Sequence, residues 1–288
     1  MNITICFPSP CYTEYVMKVI CLAENTEGST HCPYEHGLCY YIETGSHRIL
    51  MDTGADDLLI RNAQQLGVDL SAIDTVVLSH GHYDHGGGLL SFFQINSTAS
   101  VFLQKTAFEP YYSMHKDGPK YIGLSELLKG HPQIIELEGN YQIDPLLSVF
   151  SDISITVPIP SANERLKRKT GEEYIPDTFD HEQCFVIQEG SRRVLFSGCA
   201  HHGIQNILNA YEALYQSEPY AVFSGFHMMK KNYSEEDIRV ITDTAYQLKN
   251  THSLFYTGHC TGIIPYEIMK KIMGHQLIYL HCGDQAVL

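Results

Sequence analysis

An α/β fold is the class this sequence predicts, and three observations predict it. Short apolar, β-branched runs such as residues 76–78, 193–197 and 221–224 read as buried strands. Each of these is followed within three residues by glycine and by histidine or cysteine. Segments with helical spacing follow, at residues 204–215, 234–248 and 264–273. Strand, ligand-bearing turn and helix thus recur along the chain.

In chain order, residues 15–22 read as the first strand, followed by a polar loop around residues 25–30. Residues 37–43 and 47–51 read as strands joined by a turn at Thr44-Gly45-Ser46, and residues 58–66 as a helix stopped by Gly67. After the strand at 76–78, a helix starts at 89–93 and a strand spans 100–104. Residues 106–181 are rich in Tyr, Gly and Pro and carry little periodicity. They read as an insertion forming either a substrate wall or ordinary core. Strands at 183–187 and 193–197 precede the helix 204–215. Ser234 followed by Glu235, Glu236 and Asp237 is a helix start, with a hydroxyl cap and acids near the positive end. Strands at 254–257 and 276–281 complete the expected set. No composition break marks a linker, so one domain spanning 1–288 is expected.

Composition bounds the function. The hydrophobic content of 44% suits a full core, and the net charge of −14 argues against a nucleic-acid or anionic-membrane surface. The one basic run, Arg165 to Lys169, reads as a loop that is either solvated or a local substrate contact. Nine scattered cysteines, with no secretory leader and no apolar run near the ~18 residues of a membrane span, point to reduced thiols in a cytoplasmic protein. Cys6 and Cys11 flank Pro-Ser-Pro but lack metal-binding partners in sequence.

The chemistry concentrates at Ser79-His80-Gly81-His82-Tyr83-Asp84-His85-Gly86-Gly87-Gly88. Four ligand-type side chains alternate with small residues at a strand end, and glycine lets the backbone fold tightly enough for them to converge. This stretch resembles the H-x-H-x-D-H signature of the metallo-β-lactamase superfamily. Within it, the chain looks most like the dihydropteroate-synthase-like branch, named after a dihydropterin ribofuranosyl-aminobenzene phosphate synthase. The matching stretches are Glu35-His36-Gly37-Leu38, Asp52-Thr53-Gly54, Gly198-Cys199-Ala200-His201-His202-Gly203-Ile204, Gly225-Phe226-His227 and Gly258-His259-Cys260-Thr261-Gly262.

The resemblance implies a four-layer αββα sandwich with metal ligands at one edge. It also implies two divalent metals, zinc foremost with manganese or iron as alternatives. One would be held by His80, His82 and His201, the other by Asp84, His85 and His259. His201 is taken over His202, which is expected to face solvent or the helix start. Asp52 is either an outer support for a ligand histidine or a turn-forming residue. Cys199 stands where most relatives carry a metal-bridging aspartate, and is either a thiolate ligand or a buried neutral thiol. Relatives also carry a histidine just before the strand at 184–187, where this chain has Asp177-Thr178 and, close by, His181 and Glu182. His201 is inferred to replace it. His227 is a ligand, a substrate contact or a catalytic acid. His115, His131, His252, His275 and His281 lack motifs and read as ordinary surface or core residues.

Coordination lowers the pKa of a water from ~15.7 towards ~7, so hydrolysis of a phosphate ester or acyl compound by hydroxide is the expected reaction, with Asp84 orienting the water. The alternatives are a pterin-related transferase acting on an aminobenzene ribofuranosyl phosphate, and a non-hydrolytic sensor or redox protein. The expected partner is a small molecule, phosphorylated in two of these readings.

Overall fold

The computed structural model describes residues 17–288. Two seven-stranded sheets dominate it. From edge to edge, the first contains Gln285–Val287, Lys18–Ala23, Cys39–Glu43, Arg48–Met51, Thr75–Val77, Ser100–Gln104 and Ile134–Leu137. The second contains Leu277–Tyr279, Leu254–Thr257, Ala221–Ser224, Arg192–Ser197, Cys184–Glu189, Leu147–Phe150 and Tyr141–Gln142. Each sheet is antiparallel at one side and parallel at the other. Parallel strands need both faces covered, which is why these runs are continuously apolar rather than alternating.

The apolar residues sort into three layers of contact. Between the sheets, Val19, Ile42, Ile49 and Val77 meet Phe185, Phe196, Phe223 and Tyr256. Phe223 stacks between Phe196 at 4.8 Å and Tyr256 at 4.4 Å. Outside the first sheet, the helices Leu58–Leu66 and Leu89–Phe92 place Leu59, Ala63 and Phe92 on Leu50, Val76 and Val101. Outside the second, Ile204–Tyr215, Glu235–Lys249 and Ile263–Met273 cover Val186, Leu195, Val222 and Phe255. Helix, sheet, sheet, helix is the αββα sandwich that the resemblance implied.

Local signals act as expected at several boundaries. The helix Leu58–Leu66 ends at Gly67 in the left-handed region, φ 70°. Ser234 caps Glu235–Lys249 through a reciprocal capping box with Asp237. No helix of the described residues is long and apolar enough to cross a membrane. Cys6 and Cys11 lie outside the described residues.

Three expectations are corrected. The basic run is a strand, Leu166–Thr170, rather than a loop. The segment 106–181 is not one insertion: Ile134–Leu137 and Leu147–Phe150 join the two main sheets, while Tyr111–His115, Gly118–Tyr121, Leu166–Thr170 and Glu173–Pro176 form a third, four-stranded sheet. It consists of two local hairpins joined by one long-range pairing, Lys167 with Tyr112, and its largely polar strands carry no apolar period to announce them. The strand expected at 276–281 spans only Leu277–Tyr279, and the chain continues into the edge strand Gln285–Val287.

Phe223 is the residue on which the intersheet stack turns. Phe223→Ala should cost about 3–5 kcal/mol through lost transfer energy and a cavity, read as a lowered urea midpoint.

Candidate metal centre

The loops that carry the candidate residues all leave the carboxyl ends of parallel strands. Asp52 follows Arg48–Met51, the histidine-rich turn follows Thr75–Val77, and Cys199 and His201 follow Arg192–Ser197. His227 and His259 follow Ala221–Ser224 and Leu254–Thr257. Strand direction therefore brings residues far apart in sequence to one edge of the sandwich, where clefts form in sheets of this kind. Four of the turning residues adopt left-handed backbone: Asp52 (φ 61°), Ala200 (56°), His227 (48°) and His259 (48°). Such conformations cost of the order of 1 kcal/mol or more per residue and persist only where surrounding structure holds them.

Hydrogen bonds fix the direction of each imidazole. The Asp52 carboxylate accepts the Ser79 N–H at 2.7 Å, the Ser79 hydroxyl at 2.8 Å and the His85 Nδ1–H at 2.7 Å. With its own proton directed to Asp52, the Ser79 Oγ is left to accept His80 Nδ1–H at 2.8 Å. Asn163 holds His201 twice: Nδ2 donates to the His201 carbonyl at 2.7 Å, and Oδ1 accepts His201 Nδ1–H at 2.9 Å. Asn25 does the same for His259, at 3.3 and 2.8 Å. Glu182 and Glu24 then accept the backbone N–H groups of His201 and His259. In all four histidines Nδ1 is engaged outward, and Nε2 points into the centre.

There the Nε2 atoms meet. His80 and His201 lie 3.3 Å apart, and His85 and His259 3.2 Å apart. The outward partners of His80 and His201 make both Nδ1–H tautomers, so two lone pairs face each other. That contact is repulsive until a cation sits between them. Burial, reinforced by neighbouring imidazoles, pushes His80, His201 and His259 well below the usual histidine range, which keeps these lone pairs free. His85 goes the other way, up to about 9, because the facing Asp52 outweighs its burial.

The other candidates surround this pair of contacts. His82 is pushed down to about 3, chiefly by burial, and its Nε2 is buried with no partner, with its ring 4.5 Å from that of His80 and 5.0 Å from that of His201. Asp84 places Oδ2 3.5 Å from His259 Nε2 and 3.1 Å from His36 Nε2. Although burial would raise it, the hydrogen bond from His36 and the charge on His85 hold Asp84 well below the carboxylate range. The Cys199 sulfur is 3.2 Å from His85 Nε2 and within reach of both histidine pairs. The donor set fits divalent cations of the imidazole- and thiolate-binding kind. Gly198 is required beside it, because a Cβ there would run into the Ser79 side chain that holds Asp52.

His202 does not face solvent. It is buried, with Nδ1 on Glu182 Oε2 at 2.6 Å, because the turn before Ile204 drives it under the loop rather than outward. His181 packs its ring 5.2 Å from that of His82, accepts the Gly81 N–H at 2.9 Å and binds Asp177 at 3.2 Å, so both its nitrogens are used in positioning. His115 borders the cleft despite lacking a motif. Sequence reasoning missed Asn25, Asn163, Glu24 and His36 as site residues. His36 lay inside a matched stretch and could have been singled out; the two asparagines carried no signal.

Residues 33–239 match the family model of the metallo-β-lactamase superfamily. The chain belongs to that superfamily. It is 28% identical over 259 residues to an uncharacterised protein of Methanocaldococcus jannaschii, covering 86% of this chain and 92% of that one. It is 26% identical over 289 residues to the same organism's 7,8-dihydropterin-6-methyl-4-(β-D-ribofuranosyl)-aminobenzene-5'-phosphate synthase, covering 93% and 95%. Among solved structures, Tm1679, described as a metal-dependent hydrolase of the β-lactamase superfamily, superposes with a TM-score of 0.77 at 27% identity, over 94% of this chain and 98% of that one.

Replacing the hub carboxylate, Asp52→Asn, should weaken divalent metal affinity by roughly 10–100-fold, measured by competition with a chromophoric chelator.

Proposed function

We propose that this superfamily member is a metal-dependent hydrolase, one domain over 1–288, acting on a small anionic substrate such as a phosphate ester. The observation that carries the reading is the convergence of buried Nε2 atoms in two facing pairs, where a shared cation would hold them together. His80, His82 and His201 would hold one ion, and Asp84, His85 and His259 the other, with zinc the best match to this donor set. Bound there, such ions supply an activated water and a Lewis acid that offsets charge developing on the substrate.

The chain's own residues do the rest. Asp84 keeps an oxygen at the mouth of the centre, ionised and steadied by His36, where it can orient a nucleophile. A cavity of about 160 Å³ opens over the centre, and the third sheet supplies one wall with Ser113 and Lys120. Ser113 Oγ is buried without a partner. Arg165 joins them, and no carboxylate lies within ion-pair reach of Lys120 or Arg165 among the described residues, whereas nearby Arg168 faces Asp180. Two free cations beside a metal centre, in a chain of charge −14, suit a phosphoryl or carboxylate group. His227 borders this cavity and a second of about 410 Å³, and can offer a ring N–H to the leaving group.

The second reading is the transferase, supported by the 26% identity to the aminobenzene-phosphate synthase and by that larger cavity, which has room for a second reactant. Its lining includes Val157, Ile159, Phe226 and Val240, apolar but with Phe226 its one phenyl ring beside the His227 imidazole, less than a pterin stack would use.

Elemental analysis of protein purified without chelator, paired with chromogenic phosphodiester and carboxyl-ester assays, tests the hydrolase. At least two equivalents of divalent metal and turnover lost in chelator and in His82→Ala are expected; turnover that survives both would refute it. Lys120→Ala and Arg165→Ala should each raise KM about tenfold, on the order of 1.4 kcal/mol, with kcat nearly unchanged because the anchor is equally made in ground and transition states.

A further inference from the structure

Beside the histidine pairs lies a second kind of donor cluster. The Cys199 and Cys260 sulfurs and a His227 ring nitrogen lie within 4.8 Å of one another, and all three residues are buried. His227 is 9% exposed, and neither of its ring nitrogens has a hydrogen-bond partner. An imidazole enclosed in this way forfeits its hydration without recovering a bond. Cys260 is little better placed, with only a long contact to the Cys199 carbonyl at 3.5 Å.

The surrounding loops are built to hold this arrangement. Gly225 N–H donates to the Gly198 carbonyl at 2.8 Å, Phe226 N–H to Thr261 Oγ1 at 2.8 Å, and Met229 N–H to the Cys260 carbonyl at 2.9 Å. These three bonds tie the Cys199, His227 and Cys260 loops together. At Gly225 a Cβ would occupy the space of the Cys260 sulfur, so glycine there is what admits the thiol. His227 itself is kept in left-handed backbone, φ 48°, which aims its ring at the sulfurs.

We propose that Cys199, His227 and Cys260 form a soft cation subsite that takes a thiophilic transition-metal ion such as zinc, sharing the Cys199 sulfur with the histidine-held centre. Two sulfurs and one imidazole make a Cys₂His set, which leaves a fourth position for water or substrate. Binding releases the two thiol protons to solvent and turns both sulfurs into thiolates, with no change in oxidation state. The second ring nitrogen of His227 keeps its proton. The subsite goes beyond the hydrolase reading and stands whether or not the protein hydrolyses anything.

The test loads the full chain with cobalt(II) under reducing, anaerobic conditions, following cobalt content and the near-ultraviolet thiolate-to-cobalt absorption. Cys260→Ser and Cys260→Ala should each lose about half of that absorption and one equivalent of cobalt, and His227→Gln should lose the same equivalent. Absorption and content equal to wild type in both Cys260 variants would overturn the proposal. X-ray absorption of zinc-loaded Cys199→Ser guards against misfolding of the Cys260 variants. Sulfur scattering at about 2.3 Å should persist there from Cys260, and its absence would also overturn the subsite. Chelator-sensitive turnover with no Cys260 effect would leave the hydrolase and remove the subsite, whereas Cys260-dependent cobalt without turnover would do the reverse.

Discussion

The Asp52 carboxylate is the interaction on which the rest of the site depends. Buried completely, it gathers the Ser79 backbone and hydroxyl and the His85 ring, and through Ser79 it sets the tautomer of His80. Its own N–H is held by the Val77 carbonyl at 2.9 Å, so the hub joins the ends of two neighbouring parallel strands. A buried charge is tolerable only when its lone pairs are occupied, and here three donors occupy them. Removing any of them would unsettle more than one histidine, because the partners form a single connected network.

The two later histidines are supported by a repeated device. Asn163 with Glu182 secures His201, and Asn25 with Glu24 secures His259, in each case through the ring, the carbonyl and the backbone N–H. These supports come from distant parts of the chain, Asn25 from the start and Asn163 from the segment between the second and third sheets. They hold lone pairs face to face, an arrangement unfavourable in the isolated protein. Local stability is thus sacrificed to a preorganised centre, in keeping with the left-handed backbone at four of the residues that shape it.

The third sheet gives the centre its surroundings. Tyr111 packs its ring 3.9 Å from that of His181, which in turn stands against His82, so this sheet both stiffens the first loop and walls the cleft. Lys120 on this sheet and Arg165, just before its strand Leu166–Thr170, put positive charge where the chain as a whole is negative. The same sheet therefore links ligand positioning to the choice of substrate.

Much of this was legible in the residues themselves. Runs of β-branched and apolar side chains marked most main strands, Gly67 and Ser234 marked helix ends, and the spacing of His80, His82, Asp84 and His85 marked the metal loop. These are local properties, decided by periodicity, backbone freedom and ligand chemistry over a few neighbours. The third sheet was illegible because its polar strands leave no apolar period, and the pairing that joins its two hairpins, Lys167 with Tyr112, crosses some fifty residues. The same reason hid Asn25, Asn163 and the burial of His202, since a side chain's partner is fixed only when distant loops meet. Sequence by itself determined the kinds of strand, turn and donor available; tertiary structure alone decided which nitrogens would face each other, because that depends on hydrogen bonds drawn from opposite ends of the chain.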